Sequence, residues 1–394
     1  MKRFIFSVCA LAAVVVGCTK SEVINRPHAE EPIQFNPYLG RIPVTKGSIA
    51  DETVLGTSGF QVYAYMHAPV TTNADGSLDY AEGGSINHAT ATPYMNKVVK
   101  KGDAGWTYTG HAYWPATNQL DFIAYGLNSG DKVTEESDTD HTKINFTVDD
   151  DIKTHQDLLV AKACLNRSYN DTQEEDAATV NFTFSHLLSR IGFSLITKAE
   201  NSIPVTLTQV NLEGNFFSAG KVNLLDVAAL KITPTGDAAQ ITYKLLGDNG
   251  TFTSESNGDG VPVFDNSMLY EFVGGDTPTN YDDDEYRAKD FKVDGVVNES
   301  EKQTATDQAN ANKDNRYMMI IPTAAHNAKI KVIYSLPGAK TFDEVEIDLS
   351  EIEFKAGKAY DFKFKVSTNG ISFGVTIEDW DESSTEDDTI HKLN

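Results

Sequence analysis

The longest alternating run in the chain is Val180–Thr197. Val180, Phe182, Phe184 and Leu188 occupy even positions, with Asn181, Thr183, Ser185 and Ser189 between them. From Ile191 the apolar set moves to odd positions, as Ile191, Phe193 and Leu195. Successive side chains of a strand point to opposite faces, so this pattern predicts a strand with one face in a core and one toward water. The change of parity needs one residue of slip, which a bulge within Ser185–Arg190 would supply. We read the run as the first and longest strand of a second domain.

The same period recurs on both sides. Upstream, Ile33 and Phe35 alternate with Gln34 and Asn36, and prolines at 32, 37 and 43 suit an edge strand with breaks. Phe60–Met66, Tyr94–Lys101, Leu120–Leu127, Ile144–Val148 and Asp157–Ala161 follow as strands, separated by turns containing Gly, Asn and Asp. Downstream, strands are expected at Val205–Leu212, Ile241–Leu246, Met268–Val273, Tyr317–Ile321, Lys329–Leu336 and Phe342–Leu349. Tyr360–Val366 alternates apolar and charged residues, and Ile371, Phe373, Val375 and Ile377 repeat the pattern. Gly247–Gly260 and Gly274–Asn315 are polar inserts that read as surface loops. Helical periodicity is nearly absent, so the chain is all-β, built of packed sheets. The charged break Tyr169–Ala178 divides it into an N-terminal domain, residues 32–178, and a C-terminal domain, residues 179–380. A polar tether, 18–31, precedes them and an acidic tail, 381–394, follows.

A chain of 394 residues with 40% apolar content can bury two sizeable cores. Lys plus Arg number 33 against 57 Asp plus Glu, a net charge of −24 that repels nucleic acid and argues against it as a partner. Lys2 and Arg3 precede an apolar run from Phe4 to Val16, the layout of a secretory signal that removes residues 1–17. The run ends Val15-Val16-Gly17-Cys18, which resembles the lipobox of bacterial lipoproteins and makes the Cys18 thiol the lipid attachment point. Cys9 leaves with the signal, so Cys164 alone remains as a thiol and no internal disulfide is expected.

Motifs that carry chemistry are missing. There is no His-Glu-x-x-His, Cys-x-x-Cys, Gly-x-Ser-x-Gly or phosphate-cradling loop, so no cofactor, no metal and no catalytic residue is assigned. Asp282-Asp283-Asp284-Glu285 lacks the spacing of a calcium loop and reads as a solvated turn. His186, inside a strand, reads as a satisfied core histidine, and Cys164 as a small core residue. Tyr113-Trp114-Pro115 and Leu120–Tyr125 read as aromatic core filling. The competing use is a surface glycan-binding lipoprotein with Trp106, Trp114 or tyrosines as stacking platforms; a β-sandwich hydrolase ranks last.

A set of landmarks in order resembles the fimbrillin family of Bacteroidetes fimbrial subunits and minor-fimbrillin-like lipoproteins. They are Cys18, Ile33–Tyr38 running to Thr45-Lys46-Gly47, Tyr113-Trp114-Pro115 before Leu120–Tyr125, Asp157–Ala161, Phe182–Ile191, Tyr317–Pro322, Phe354–Tyr360 and Val375–Trp380. The resemblance implies two tandem β-sandwich domains of transthyretin-like, Greek-key type. It also implies a surface-exposed lipoprotein or fimbrium at the cell outer membrane, held in lipid through Cys18, with other fimbrial subunits and a host protein or glycan as partners. In polymerising members a trypsin-like protease removes the first strand after a basic residue, and a neighbouring subunit fills the groove. The matching positions here are Arg41 and Lys46 for the cut, and Ile33, Phe35, Tyr38, Leu39, Ile42 and Val44 for the displaced strand. The tail departs from the pattern: Asp381–Asp388 is acidic, without alternating apolar residues, and would make a poor donor strand. Anchor, tip and accessory roles therefore stay open beside the shaft. Asp388-Thr389-Ile390 resembles an O-glycosylation site of this phylum.

Overall fold

The computed structural model describes residues 31–39, 52–73, 78–80, 84–149, 155–169, 178–197, 205–244, 252–254, 262–265, 318–324, 327–335, 343–367 and 370–379. Cys18, Arg41, Ile42, Val44, Lys46, Met268–Val273, the insert Gly274–Asn315 and the acidic tail lie outside them. Apart from short helical turns such as α1 (Glu52–Ser58), the described chain is strand and loop, the all-β class expected from its alternation. The helix stops at Gly59, whose φ of 84° is left-handed and where an added Cβ would lie 2.6 Å from Val99 O.

The first sheet runs in the order β1 (Gln34–Leu39), β12 (Thr179–His186), β10 (Leu159–Ala161), β7 (Gln119–Gly126), β2 (Phe60–His67), β5 (Met95–Gly102), β6 (Gly105–Tyr108). A further strand, β11 (Cys164–Arg167), shares β7. The two ends of this order meet. Tyr108, closing β6, donates its Oη to Ile33 O at 2.7 Å and packs its ring 5.8 Å from Phe35 of β1. The sheet is therefore curled into a nearly closed roll. Phe60, Val62, Phe122, Ala124, Phe182 and Phe184 fill its interior.

Residues at the alternate positions face outward and are buried by a second layer. This layer is β16 (Ile232–Pro234), β15 (Ala219–Asn223), β9 (Lys143–Thr147) and β8 (Val133–Glu135). Tyr63, Tyr65, Ile123 and Val160 from the roll meet Ile144, Phe146, Val222 and Ile232 from this layer. A small hairpin, β3 (Val70–Thr72) with β4 (Leu78–Tyr80), stands apart.

The C-terminal half holds two more sheets around one core. One is β19 (Pro262–Asp265), β13 (Ser189–Thr197), β23 (Lys358–Ser367), β24 (Gly370–Asp379), with β20 (Met318–Ile320) also on β13. The other is β17 (Ala239–Lys244), β14 (Val205–Phe216), β21 (Lys329–Ser335), β22 (Asp343–Asp348), with β18 (Phe252–Ser254) on β14. Ile191, Ile320, Tyr360 and Val375 from the first meet Leu212, Tyr243, Ile330 and Ile347 from the second.

Two expectations are corrected here. The run Val180–Thr197 is not one bulged strand opening a second domain. It is two strands in two sheets, β12 in the roll and β13 in the C-terminal half. The parity change marks a corner at Leu187-Leu188, both buried with Met319 and Ile321. A boundary at 178 consequently cuts through the first unit, which draws β12 and also β15 and β16 from beyond it. The reason is that an edge on β9 is completed by whichever strand supplies the matching apolar face, and Val222 and Ile232 supply it.

The corner predicts a position effect on stability. Leu188→Ala removes a fully buried side chain where the two halves join, and should cost about 2–5 kcal/mol. Met66→Ala, at a side chain 40% exposed, should change stability by no more than about 0.5 kcal/mol. Chemical-denaturation midpoints measured on both variants check the contrast.

Candidate functional site: the edge strand and its groove

β1 is paired in parallel with β12, in register from Gln34 opposite Thr179 to Leu39 opposite Phe184. Alternation sends Phe35, Pro37 and Leu39 inward and leaves Gln34, Asn36 and Tyr38 outside. Phe35 is the principal inward residue. Its ring stacks on Phe182 at 5.9 Å and meets Phe60, Phe122 and Tyr108 edge-on at 6.1, 6.1 and 5.8 Å. Ile33 and Leu39 are buried on either side, while Tyr38 is 54% exposed. On the outer face Asn36 Nδ2 donates to Asn181 Oδ1 at 3.0 Å, which fixes the register a second time. Burying three such apolar side chains contributes roughly 5–9 kcal/mol, so the groove holds its strand firmly.

Backbone groups follow the same parity. Gln34 N–H donates to Ala178 O at 3.0 Å, on the β12 side, and Ile33 N–H donates to Ala112 O at 2.8 Å, on the opposite side. Even residues thus face β12 and odd residues face away. Pro37, which has no N–H, falls on an odd position and costs the ladder nothing.

Of the residues singled out from sequence for the displaced strand, the structure brings Phe35, Tyr38 and Leu39 onto one strand, with Ile33 immediately before it. Its neighbours Tyr108 and Ala178 carried no sequence signal, because they hold the strand through hydrogen bonds in which a backbone carbonyl accepts, and such bonds leave no residue pattern. The tryptophans offered in the competing use as glycan platforms differ in burial. Trp114 is 1% exposed, with Nε1 donating to Ala178 O at 3.1 Å, and Trp106 is half-buried against Phe60 at 5.6 Å.

Among the described residues, titratable groups elsewhere pair with one another. Asp121 lies 3.2 Å from His67 Nε2 and 2.8 Å from His88 Nε2, and accepts Asn166 N–H at 2.6 Å. Burial pushes its carboxyl up, but the His88 hydrogen bond, the Asn166 N–H and the two imidazoles together hold it below the usual range. Glu135 accepts from Tyr63 and Tyr125 and pairs with His141, and burial followed by Glu135 drives both phenols up. His186 is buried, with Nδ1 2.6 Å from Asp157 Oδ2. Burial raises the Cys164 thiol, whose Sγ lies 3.4 Å from Asn181 O; it is not an activated thiolate. Among the described residues no group of three or more His, Cys, Asp or Glu is placed to hold a metal.

The sequence profile of the fimbrillin-like family matches residues 57–264 and 271–380. The chain belongs to the fimbrillin-like family. Fimbrium subunit Fim1C of Phocaeicola vulgatus is 21% identical to this fimbrillin-like chain over 96% of both. Two solved structures of candidate cell adhesion proteins are also similar. That from Bacteroides uniformis is 15% identical, covering 82% of this chain and 92% of its own, with a TM-score of 0.40. That from Bacteroides ovatus is 11% identical, covering 90% and 99%, with a TM-score of 0.43.

The Asp121 network carries a pH signature. The unfolded carboxyl titrates at its ordinary 3.8 while the folded one stays charged to lower pH, so its contribution is complete above that value. As pH falls through the folded value, proton uptake favours the unfolded chain and the contribution is lost. Wild type should therefore exceed Asp121→Asn in thermal stability at pH 6, and the gap should hold down to about pH 4 and narrow in melts run below it.

Proposed function

We propose that this fimbrillin-like chain is a lipid-anchored structural subunit of a surface fimbrium or adhesion layer, and that it works by strand exchange rather than catalysis. The signal sequence and the lipobox at Cys18 support export and anchoring at the outer membrane. One acyl chain binds a membrane marginally and two or more bind it stably, so the tether to Glu31 would be held at the surface. Partners on this reading are other subunits of the same or related kind, with contact to host protein or glycan as a further role of the assembly.

The observation that carries the reading is the geometry of β1. An early strand completes the roll from its edge, along six residues of one neighbour, with Phe35 and Leu39 seated in the interior. A cut at Arg41 or Lys46, just past Leu39, would separate that strand from the rest of the chain. Its apolar burial would keep it in place after the cut, so it would leave only against a strand offering equivalent side chains. Such a strand would run parallel to β12 and present apolar residues two apart, with an aromatic at the Phe35 position. Main-chain bonds to β12 would supply affinity and the pockets specificity. The acidic tail lacks that alternation, which favours a donor other than residues 381–394 and suits an anchor, tip or accessory place in the fibre.

The test is limited digestion of the purified, delipidated chain with a trypsin-like protease, followed by light scattering and electron microscopy. Cleavage after Arg41 or Lys46 and growth into filaments or mixed oligomers with a partner subunit is the expected result. Phe35→Ala should loosen the cut strand and hasten growth; Arg41→Ala with Lys46→Ala should abolish it. A chain that loses its first strand yet stays monomeric with every related subunit supplied would overturn the proposal.

A further inference from the structure

We infer that the groove beneath β1 opens and refills from its Leu39 end, and that Tyr108 with the segment Ala112–Trp114 is a latch holding the Ile33 end until last. The inference rests on the strand-exchange reading for its purpose, though not for its geometry.

The two ends of β1 are gripped differently. At the start, the strand lies between two backbones. On the β12 side Gln34 N–H donates to Ala178 O. On the other side Ile33 N–H donates to Ala112 O at 2.8 Å, Tyr108 Oη donates to Ile33 O at 2.7 Å, and Trp114 N–H donates to Glu31 O at 3.1 Å. Pro32 and Tyr113 form an antiparallel bridge within the same contact. Ala178 O binds both sides at once, since it accepts from Gln34 N–H at 3.0 Å and from Trp114 Nε1 at 3.1 Å. The latch segment is itself pinned, because Tyr94 Oη donates to Tyr113 O at 2.6 Å.

From Phe35 to Leu39 the strand partner, among the described residues, is β12 alone. Of the odd positions that face away from β12, Pro37 has no N–H to offer. Tyr38, next to the end, is more than half exposed. Opening by one residue at the Leu39 end breaks one side of a ladder, whereas opening at the Ile33 end breaks both sides together. Local opening follows the cheaper route, so fraying starts at Leu39 and the Ile33 end is last to leave. The same asymmetry tells where a second strand enters. It nucleates on the Thr183–Phe184 end of β12, which fraying of Leu39 uncovers, and displaces β1 stepwise toward Ala178, never leaving the aromatic interior empty.

Residue-resolved amide hydrogen exchange on the full chain without its lipid, both intact and nicked after Arg41, tests this. Corrected for intrinsic rates, the Tyr38 amide should exchange before the Gln34 amide in both forms. Tyr108→Phe deletes one hydrogen bond and keeps the ring, and should speed Ile33 and Gln34 about two- to tenfold while Tyr38 is unchanged. Gln34 exchanging first, or the variant speeding all three alike, overturns the latch. If no protease cut forms near Arg41 or Lys46, the processing step of the strand-exchange reading fails, and the order measured on the intact chain still decides the latch.

Discussion

The parallel pairing of β1 with β12 is the constraint on which the N-terminal unit depends. Its register joins residues about 145 positions apart, as in the Asn36–Asn181 bond, and β2, β5, β6, β7 and β10 of the roll all lie in the chain between them. Parallel neighbours cannot be linked by a hairpin; the chain between them has to build the sheet. β1 is thereby a closing element. It brings Phe35 into the interior and meets Tyr108 on the far side, which ties the last strand of the sheet to the first.

The C-terminal half uses the same device. β13 lies parallel to β23 from Arg190 opposite Ala359 to Thr197 opposite Val366, a separation of about 169 positions. The corner at Leu187-Leu188 joins the two closures, since β12 ends in the roll and β13 begins in the C-terminal half three residues later. Ser189 Oγ donating to Lys355 O at 2.8 Å and Gly357 N–H donating to Leu188 O at 3.0 Å fix the loop before β23 to that corner. Non-local pairing of this kind slows folding, because loop closure must precede any reward. A long interval before β1 is sealed is then inherent in the topology.

The longer strands were legible in the sequence; short ones such as Phe252–Ser254, inside an insert that reads as a loop, and strand partnership were not. Phe60–Met66 and Leu120–Leu127 became β2 and β7 because local alternation records only which face is buried. A parity change looks the same whether the chain bulges or turns a corner, so Val180–Thr197 could not reveal its division between two sheets. Ala219–Asn223 and Ile232–Pro234 are too short to show a period, and their return to the first unit depends on an edge far away in sequence. At the site, Phe35 and Leu39 inward with Tyr38 outward follows from alternation alone. The grip of Tyr108 does not, because a hydroxyl reaching one carbonyl leaves no pattern. Trp114 sits in the core as its aromatic surroundings suggested, and its competing use as a stacking platform could be set aside only by packing, since residue type alone shows that an indole can stack.

On the proposed reading, two kinds of sheet edge would keep the chain single before assembly. β22 ends its sheet with Asp343, Glu344, Glu346 and Asp348, of which Glu346 pairs with Lys329 and Glu344 with Lys331 across the ladder. Charges of this sort add little stability and instead keep a neighbouring strand from docking. β12 carries no such guard on its β1 side: from Thr179 to Ser185 it is uncharged and free of proline. It would be an adhesive edge if bare. β1 covers it and offers an inferior edge in exchange, because Pro37 removes an outward N–H and the latch occupies Ile33. On the proposed reading, removing β1 replaces a poor edge with a good one and opens the aromatic interior in the same step. A single strand thus does for the intact chain what four acidic residues do for β22, with the difference that a strand can be taken away.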